Sequence, residues 1–280
     1  MSQDVFCLFK SAGGENATFP IAIKEYQRYL FGDDKLAHRF GTDLAKAFVA
    51  HGPGFGARKT TSYVHSPIGD IVVAVISGYV PTATHNLRNH FVACLNRHLV
   101  SINARPAVKI DINRVEKGLQ ARNGPSPSPQ EAYHIDRERL EGRAVIILGD
   151  LRKSPDHENQ VRQSLRGLEV DSPIVFVYLS SLSEHAHPNA VSPLLEFVVS
   201  PSIKDVEVIV QTDQFVLNEC FVLFVLGRDH GEFCQFMRRQ DDGFARLLLD
   251  YAIGGQYYEK ELYQQNVKFL HWEVGTRESV

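Results

Sequence analysis

Hydrophobic positions along the chain follow two alternating patterns, one of short continuous runs and one of helical spacing. Short apolar runs rich in β-branched residues are typical of strands that are buried on both faces. The predicted strands are Val5–Phe9, Ile71–Ile76, Val108–Ile112, Ala144–Leu148 and Ile174–Leu179. The predicted helices between them are Asp33–His51, Thr82–Leu99 and Pro155–Leu168. Strands that alternate with helices predict an α/β fold in which helices flank a parallel sheet.

The first long helix has a clear start signal and an ambiguous end. Asp33 or Asp34 is suited to cap its N-terminus. The helix ends in Gly52-Pro-Gly-Phe-Gly56, whose alternate glycines invite comparison with a nucleotide-binding loop. No predicted strand precedes these glycines, so a C-capping turn is the better interpretation. The helix over Thr82–Leu99 is expected to bury four side chains: Leu87, Phe91, Leu95 and Leu99.

The last third of the chain has a different pattern. From Asp213 onward it is mostly helical, with broad apolar faces that carry many phenylalanines. A chain of 280 residues is long enough for a main domain with a smaller appendage. We therefore predict an α/β domain over residues 1–212 and a helical C-terminal region over residues 213–280.

Composition and charge narrow the class of protein. The net charge of -3 and the lack of a basic stripe argue against nucleic acid as a partner. The apolar runs are too short and too polar to span a bilayer, and Met1–Lys10 lacks the pattern of a secretory signal. Four scattered cysteines without a C-x-x-C pair fit a reducing compartment. We expect a cytoplasmic protein that binds a small molecule and has no membrane partner, with association into a homo-oligomer left open.

Polar residues follow two of the predicted strands, at the positions where ligands bind in open α/β sheets. After the first buried run the chain reads Ser77-Gly-Tyr-Val-Pro-Thr82, ahead of a helix. Gly78 would let backbone N–H groups approach an anion, and the positive end of the helix would favour its charge. Ser77, Tyr79 and Thr82 complete this set of candidate substrate-binding residues. Tyr79 would stack on a base, although a loop tyrosine beside a glycine equally often serves packing.

The second polar set follows the strand that ends at Leu148. Asp150 would bind ribose hydroxyls or, through them, a magnesium ion. Arg152 and Lys153 would balance phosphate charge, or they are solvated turn charges. Around the start of the next helix lie the remaining candidates: Ser154, Asp156, His157 and Glu158. Serine at the N-cap, proline at the first helical position and acidic residues in the first turn also make an ordinary helix start without any ligand.

These motifs resemble the phosphoribosyltransferases that are encoded with tellurium-resistance genes. The resemblance extends over most of the chain and is carried by four stretches: Ser77–Ala83, Leu95–Arg97, His134–Asp136 and Asp150–Glu158. It implies a type I phosphoribosyltransferase-like fold and Mg²⁺-dependent transfer of ribosyl phosphate from phosphoribosyl pyrophosphate to a nitrogen nucleophile. It also implies that Asp150 is the catalytic residue at the ribose hydroxyls, while the loop of Ser77 holds pyrophosphate and the loop of Ser154 holds the 5′-phosphate.

The chain departs from that family pattern around the second polar set. Gly149 replaces the first carboxylate of an acidic pair, Ser154 replaces a threonine, and Pro155 replaces a glycine of the phosphate loop. Pro155 removes an N–H donor, and Asp156 adds a negative charge that would repel a nearby phosphate by roughly a few kcal/mol. Two alternatives therefore stay open. One is an enzyme for a nucleoside or sugar-nucleotide that lacks a 5′-phosphate, and the other is a non-catalytic binding or regulatory protein on the same fold.

Two further stretches carry weaker signals. Glu184-His-Ala-His187 would bind a divalent metal, but no third ligand is identifiable, which favours a polar surface loop. The stretch 122–130, rich in proline and serine, is either a lid over the site or a disordered connector.

Overall fold

The computed structural model describes nine stretches of the chain: residues 4–10, 21–51, 70–115, 132–134, 136–140, 142–152, 155–167, 172–181 and 198–279. The strands in these stretches are β1 (Val5–Lys10), β2 (Ile71–Ser77), β3 (Val108–Val115), β4 (Ala132–His134), β5 (Ala144–Arg152) and β6 (Ile174–Ser181). The α-helices are α1 (Ile23–Leu30), α2 (Asp34–His51), α3 (Ala83–Ser101), α4 (Pro155–Gly167), α5 (Ile203–Val210), α6 (Glu219–Leu226), α7 (His230–Met237), α8 (Asp242–Gly254) and α9 (Glu261–Glu278).

The strands form one sheet in the order β1-β6-β5-β2-β3-β4. Five of them run parallel, and β4 pairs antiparallel to β3 at one edge. The predicted parallel sheet flanked by helices is therefore confirmed, and each of the five predicted strands is present. Strand β4 was not predicted, because three residues are too few to show a period in the sequence and their pairing depends on the neighbouring strand.

Strand β5 is longer than its apolar run. The prediction ended the strand at Leu148 and placed the residues after it in a turn, which is wrong for the first four of them, Gly149–Arg152. Gly149 pairs with Tyr178, and Arg152 pairs with Ser181, so the backbone stays in the sheet through Arg152. Hydrogen bonds to the adjacent parallel strand hold this polar end extended, and a hydrophobic pattern cannot report such bonds.

Helices cover the sheet on both faces. On one face, Val161 and Leu165 of α4 pack in a cluster with Val145, Ile147 and Phe176 of the sheet. On the opposite face the aromatic side chains of Phe6 in β1, Phe48 in α2 and Phe91 in α3 form a continuous chain of ring contacts. Burial on both faces is what the continuous apolar composition of the central strands predicts.

The predicted helix signals of α2 and α3 are confirmed. Asp33 caps α2, because its carboxylate accepts a hydrogen bond from the Leu36 N–H at 3.2 Å. Helix α3 buries the four predicted side chains, none of them more than 1% exposed: Leu87, Phe91, Leu95 and Leu99. The two helices approach closely at Gly41, where an added Cβ would lie 2.6 Å from the carbonyl oxygen of Leu87.

Contacts divide the chain into two compact units. The first unit comprises Met1–Ile21, His38–Gly78 and Thr84–Val191. The second unit comprises Ala22–Ala37, Tyr79–Ala83 and Ser192–Val280. The predicted domain division at residue 212 stays a prediction.

The second unit is helical and has its own aromatic core. Its fully buried side chains include Phe221, Phe233, Phe236 and Leu248. Asn218, Asp229 and Asp241 cap α6, α7 and α8 by accepting hydrogen bonds from first-turn N–H groups. Each such cap is worth about 1 kcal/mol. The C-terminal helices predicted from the apolar pattern are confirmed.

Three sequence-based interpretations concern residues that the structure does not describe: the glycines of 52–56, the stretch 122–130 and the histidines of 184–187. Across the described stretches, no helix combines the length and the apolar character that crossing a membrane requires.

Candidate functional site

The order in which strands are added to the sheet reverses between the neighbouring strands β2 and β5. From β2 it proceeds to β3 on one side, whereas from β5 it proceeds to β6 on the other side. In open α/β sheets the crevice beyond the carboxyl ends of the strands at such a switch point is the usual ligand site. Strands β2 and β5 pair directly, with Val75 opposite Leu148, so Ser77 and Asp150 lie at the same edge of the sheet. The two polar sets that the sequence predicted separately therefore meet at this edge.

The β2 end contributes a serine and a glycine to this edge. Ser77 is buried and pairs with Asn113 of β3, and the exposed Gly78 follows directly. The next two candidates, Tyr79 and Thr82, belong to the second unit. Tyr79 is 69% exposed, and its ring lies against Gly254, where an added Cβ would be only 1.9 Å from Cε1.

Asp150 lies within β5 rather than in the loop after it. Its side chain is half-buried, and its Oδ1 accepts a hydrogen bond from the N–H of Leu151 at 2.7 Å. This position at the carboxyl edge suits a carboxylate that accepts hydrogen bonds from ligand hydroxyl groups.

Two predicted substrate-binding residues bind each other. Arg152 Nε donates to Glu158 Oε1 at 2.5 Å, and Arg152 Nη2 donates to Glu158 Oε2 at 3.1 Å. The side chains are 19% and 6% exposed, so this is a largely buried bidentate ion pair between the end of β5 and the first turn of α4. Within this pair the guanidinium charge is balanced by a carboxylate of the chain itself.

Tyr178 of β6 is a third member of this group. The sequence analysis did not identify it as a site residue. Its hydroxyl forms a hydrogen bond with the Glu158 carboxylate. Burial, together with the negative charge of Glu158, raises the pKa of the phenol well above its ordinary value. The only signal in the sequence is a hydroxyl-bearing residue within an otherwise apolar strand, which by itself does not point to a partner.

Gly149, which we predicted to replace a first carboxylate, lies directly opposite Tyr178 in the sheet. A Cβ added at Gly149 would lie 2.6 Å from Cε1 and 2.7 Å from Cδ1 of the Tyr178 ring. Real Cβ atoms do not approach this closely, and the Tyr178 side chain is buried, so its ring could move aside only by displacing its neighbours. The tyrosine ring therefore occupies the space that any side chain at position 149 would need.

Cys7 of β1 lies near the same group of residues. Burial raises the pKa of its thiol above the ordinary value, while a hydrogen bond with Ser181 and the charge of Arg152 oppose that shift. A raised thiol pKa disfavours the thiolate, which is the nucleophilic form of cysteine.

The start of α4 is described from Pro155 onward. Asp156 is exposed in the first turn, and the half-buried His157 meets the ring of Tyr133 edge-on at 6.4 Å. Lys153 and Ser154 lie outside the described residues, so their predicted roles at a phosphate and at the N-cap stay predictions.

The side chains at this edge of the sheet can be compared with those that the predicted Mg²⁺ would need. No cluster of three or more histidine, cysteine or acidic side chains in the described stretches is arranged to hold a metal ion. Glu158 is engaged by Arg152 and Tyr178, which leaves Asp150 as the described carboxylate at the ends of β2 and β5. This set fits a Mg²⁺ whose own ligands would come from water and substrate oxygens, with Asp150 reaching the ion only through the ribose hydroxyls.

The fold and this edge of the sheet define a protein of the phosphoribosyltransferase-like class. The chain belongs to the PRTase ComF-like family, and the match covers residues 2–270. This confirms the phosphoribosyltransferase-like family that the motifs predicted. The association with tellurium-resistance genes stays a prediction.

Among solved structures, the chain is distantly similar to hypoxanthine phosphoribosyltransferase from Trypanosoma cruzi. One structure of that enzyme is 19% identical, covers 56% of this chain and 70% of its own, and has a TM-score of 0.32. Another, in complex with the product IMP, is 19% identical, with 54% and 68% covered and a TM-score of 0.31. No curated protein matches the chain.

Proposed function

We propose that the protein transfers ribosyl phosphate from phosphoribosyl pyrophosphate to a nitrogen nucleophile. The observation that carries this proposal is the meeting of Ser77, Gly78 and Asp150 at the switch point of the sheet, in a chain of phosphoribosyltransferase-like family. The first unit holds these three residues.

In the proposed reaction the bond between ribose C1 and the pyrophosphate oxygen breaks, and a bond from C1 to the nucleophilic nitrogen forms. The nitrogen then releases its proton to solvent, and pyrophosphate leaves with the bonding electron pair. Because the transition state resembles an oxocarbenium ion, stabilising the leaving group matters more than a protein nucleophile. Asp150 would hold the ribose hydroxyls, and the backbone N–H groups at Gly78 would bind pyrophosphate.

The other candidates take supporting roles in this proposal. Lys153 and Ser154 would contact the 5′-phosphate, and the substrate contacts predicted for Tyr79 and Thr82 stay predictions. Arg152 and Glu158 would act through each other by fixing the end of β5. Mg²⁺ would neutralise pyrophosphate charge and reach Asp150 only through the ribose hydroxyls. The predicted cytoplasmic location stays a prediction.

A thermal-shift experiment tests the proposal. With Mg²⁺ and phosphoribosyl pyrophosphate at one hundred times the dissociation constant, the protein should gain about 2.7 kcal/mol and several degrees in melting temperature. Asp150→Ala should abolish the shift, whereas Asp250→Asn, which changes an exposed carboxylate in α8, should keep it. A folded wild-type protein that shows no shift would rule out the phosphoribosyl reaction.

A nucleoside or sugar-nucleotide enzyme is the second candidate, and two observations favour it. The Tyr178 ring excludes a second carboxylate at position 149, while Asp156 adds an exposed negative charge at the start of α4. Asp156 would accept a hydrogen bond from a free 5′-hydroxyl. Thermal stabilisation by adenosine or inosine without Mg²⁺, and none by phosphoribosyl pyrophosphate, would select this function. A response to neither ligand would leave a non-catalytic binding protein.

A further inference from the structure

A buried polar network links two strands and one helix beside the candidate site. Arg152 at the end of β5 donates two hydrogen bonds to Glu158 in the first turn of α4. The hydroxyl of Tyr178 in β6 bonds to the same carboxylate. Two polar side chains from two strands therefore converge on one carboxylate of α4 that is 6% exposed.

The three side chains stabilise one another, because each supplies a charge or a hydrogen bond that another needs in a buried environment. A buried carboxylate loses its hydration and stays ionised only when hydrogen bonds replace the lost water. Arg152 supplies the opposite charge, and Tyr178 supplies a further donor. Removing one donor leaves the carboxylate oxygen less satisfied in a region of low dielectric, where the cost is highest.

Gly149 restricts the Tyr178 ring from the other side. The ring lies over the glycine backbone of the neighbouring strand, close enough that no Cβ would fit. The ring is thus held between the backbone of β5 and the side chain of Glu158. Two positions on the same stretch of β5, Gly149 and Arg152, are fixed by this arrangement, and Asp150 lies between them.

We infer that Tyr178 is a positioning residue for Asp150, acting through Glu158 and Arg152 on the polar end of β5. The inference rests on the proposed function in so far as Asp150 contacts the ligand. Tyr178 itself does not touch the substrate. Its hydroxyl holds Glu158, which holds Arg152, so that the carboxyl end of β5 keeps one conformation when the ligand arrives.

The first arm of the test needs no ligand. Tyr178→Phe keeps the ring over Gly149 and removes only the hydroxyl. The matched control is Ser180→Ala on the same strand, because Ser180 is fully buried and its hydroxyl has no hydrogen-bond partner within the described stretches. Amide hydrogen exchange of residues 149–152 and 156–158 in the full chain should be about tenfold faster in Tyr178→Phe than in the wild type or the control. Unchanged exchange would overturn the inference.

The second arm measures affinity by calorimetry well below the melting temperature, with Mg²⁺ and phosphoribosyl pyrophosphate in one series and adenosine in the other. Tyr178→Phe should weaken binding by about tenfold, and Ser180→Ala should leave it unchanged. Faster exchange with unchanged affinity would also overturn the inference, because the network would then serve only stability.

The binding results of the wild type and of Tyr178→Phe distinguish failure of the proposed function from failure of the positioning role. If the wild type binds neither probe, the proposed function fails, and the exchange arm alone decides whether Tyr178 fixes the end of β5. If the wild type binds a probe and Tyr178→Phe binds it equally well, the function survives and the positioning role is rejected.

Discussion

Arg152 and Glu158 lie on either side of the predicted phosphate loop and bind each other through two hydrogen bonds of 2.5 and 3.1 Å. The positive charge of Arg152, which we predicted to balance a ligand phosphate, is thus balanced by the carboxylate of Glu158. The ion pair joins the candidate site to β5 and α4, so substitutions in it should change the free energy of unfolding.

Glu158→Gln should destabilise the protein by about 3 kcal/mol, because the largely buried Arg152 would lose the carboxylate charge of its bidentate ion pair. The measurement is the free energy of unfolding in urea at neutral pH. Glu278→Gln breaks the exposed pair with Arg246, whose charged atoms lie 3.6 Å apart. That control should change stability by less than about 1 kcal/mol. Equal effects of the two substitutions would contradict a buried role for Glu158.

Gly149→Ala should destabilise the protein by about 1–3 kcal/mol, because the new methyl group would overlap the Tyr178 ring. Gly167→Ala is the matched control, since a Cβ at Gly167 meets nothing within 4 Å. Thermal and urea unfolding of both variants give the comparison. If Gly149→Ala were as stable as Gly167→Ala, the ring would have to be free to move.

Alkaline pH should weaken the fold through Tyr178. Its folded pKa lies above the ordinary value of 10.0, so the neutral phenol stabilises the native state. This contribution is fully present below the unfolded pKa and is lost as the pH rises from there through the raised folded pKa. The unfolding free energy should fall above about pH 10 with a slope of up to about 1.4 kcal/mol per pH unit from this group. Urea titrations should show a smaller slope in Tyr178→Phe than in the wild type, and equal slopes in the two proteins would contradict this role for Tyr178.

Gly254→Ala should displace the ring of Tyr79, because the added Cβ would lie 1.9 Å from Cε1. We expect a loss of about 1–2 kcal/mol in stability, which Tyr79→Ala in the same chain should largely remove. Gly275→Ala in α9 is the control, since open space surrounds that position. A double-mutant cycle with no coupling between Tyr79 and Gly254 would show that the contact is not maintained in solution.

Asn266→Ala should cost about 2 kcal/mol or more, because its buried amide joins α9 to the segment before α7. Its Nδ2 donates to the carbonyl oxygens of Leu226 and Arg228 at 2.9 and 2.8 Å. Its Oδ1 lies 2.8 Å from Nδ1 of His230, so this nitrogen carries the proton. Urea unfolding measures the loss, and histidine NMR should show a changed tautomer ratio at His230 in the variant.

The amino-acid sequence by itself determined the elements and the class of fold. Runs such as Ile71–Ile76 and the helical spacing of Leu87 and Phe91 are local patterns, and each local pattern reports which backbone geometry buries its apolar side chains. The polar residues at the ends of two strands could be recognised for the same reason, because strand ends in a parallel sheet are predictable from the apolar runs before them.

The tertiary structure alone decided which polar residues meet. Strand order placed Ser77 beside Asp150, and the pairing of β5 with β6 kept Arg152 in the sheet and set Tyr178 over Gly149. These relationships join residues far apart in the chain or on opposite strands, and hydrogen bonding and steric fit across strands leave no periodic trace in the sequence. The Glu158 network could therefore not be foreseen, since its energy comes from desolvated charges that only the folded arrangement brings together.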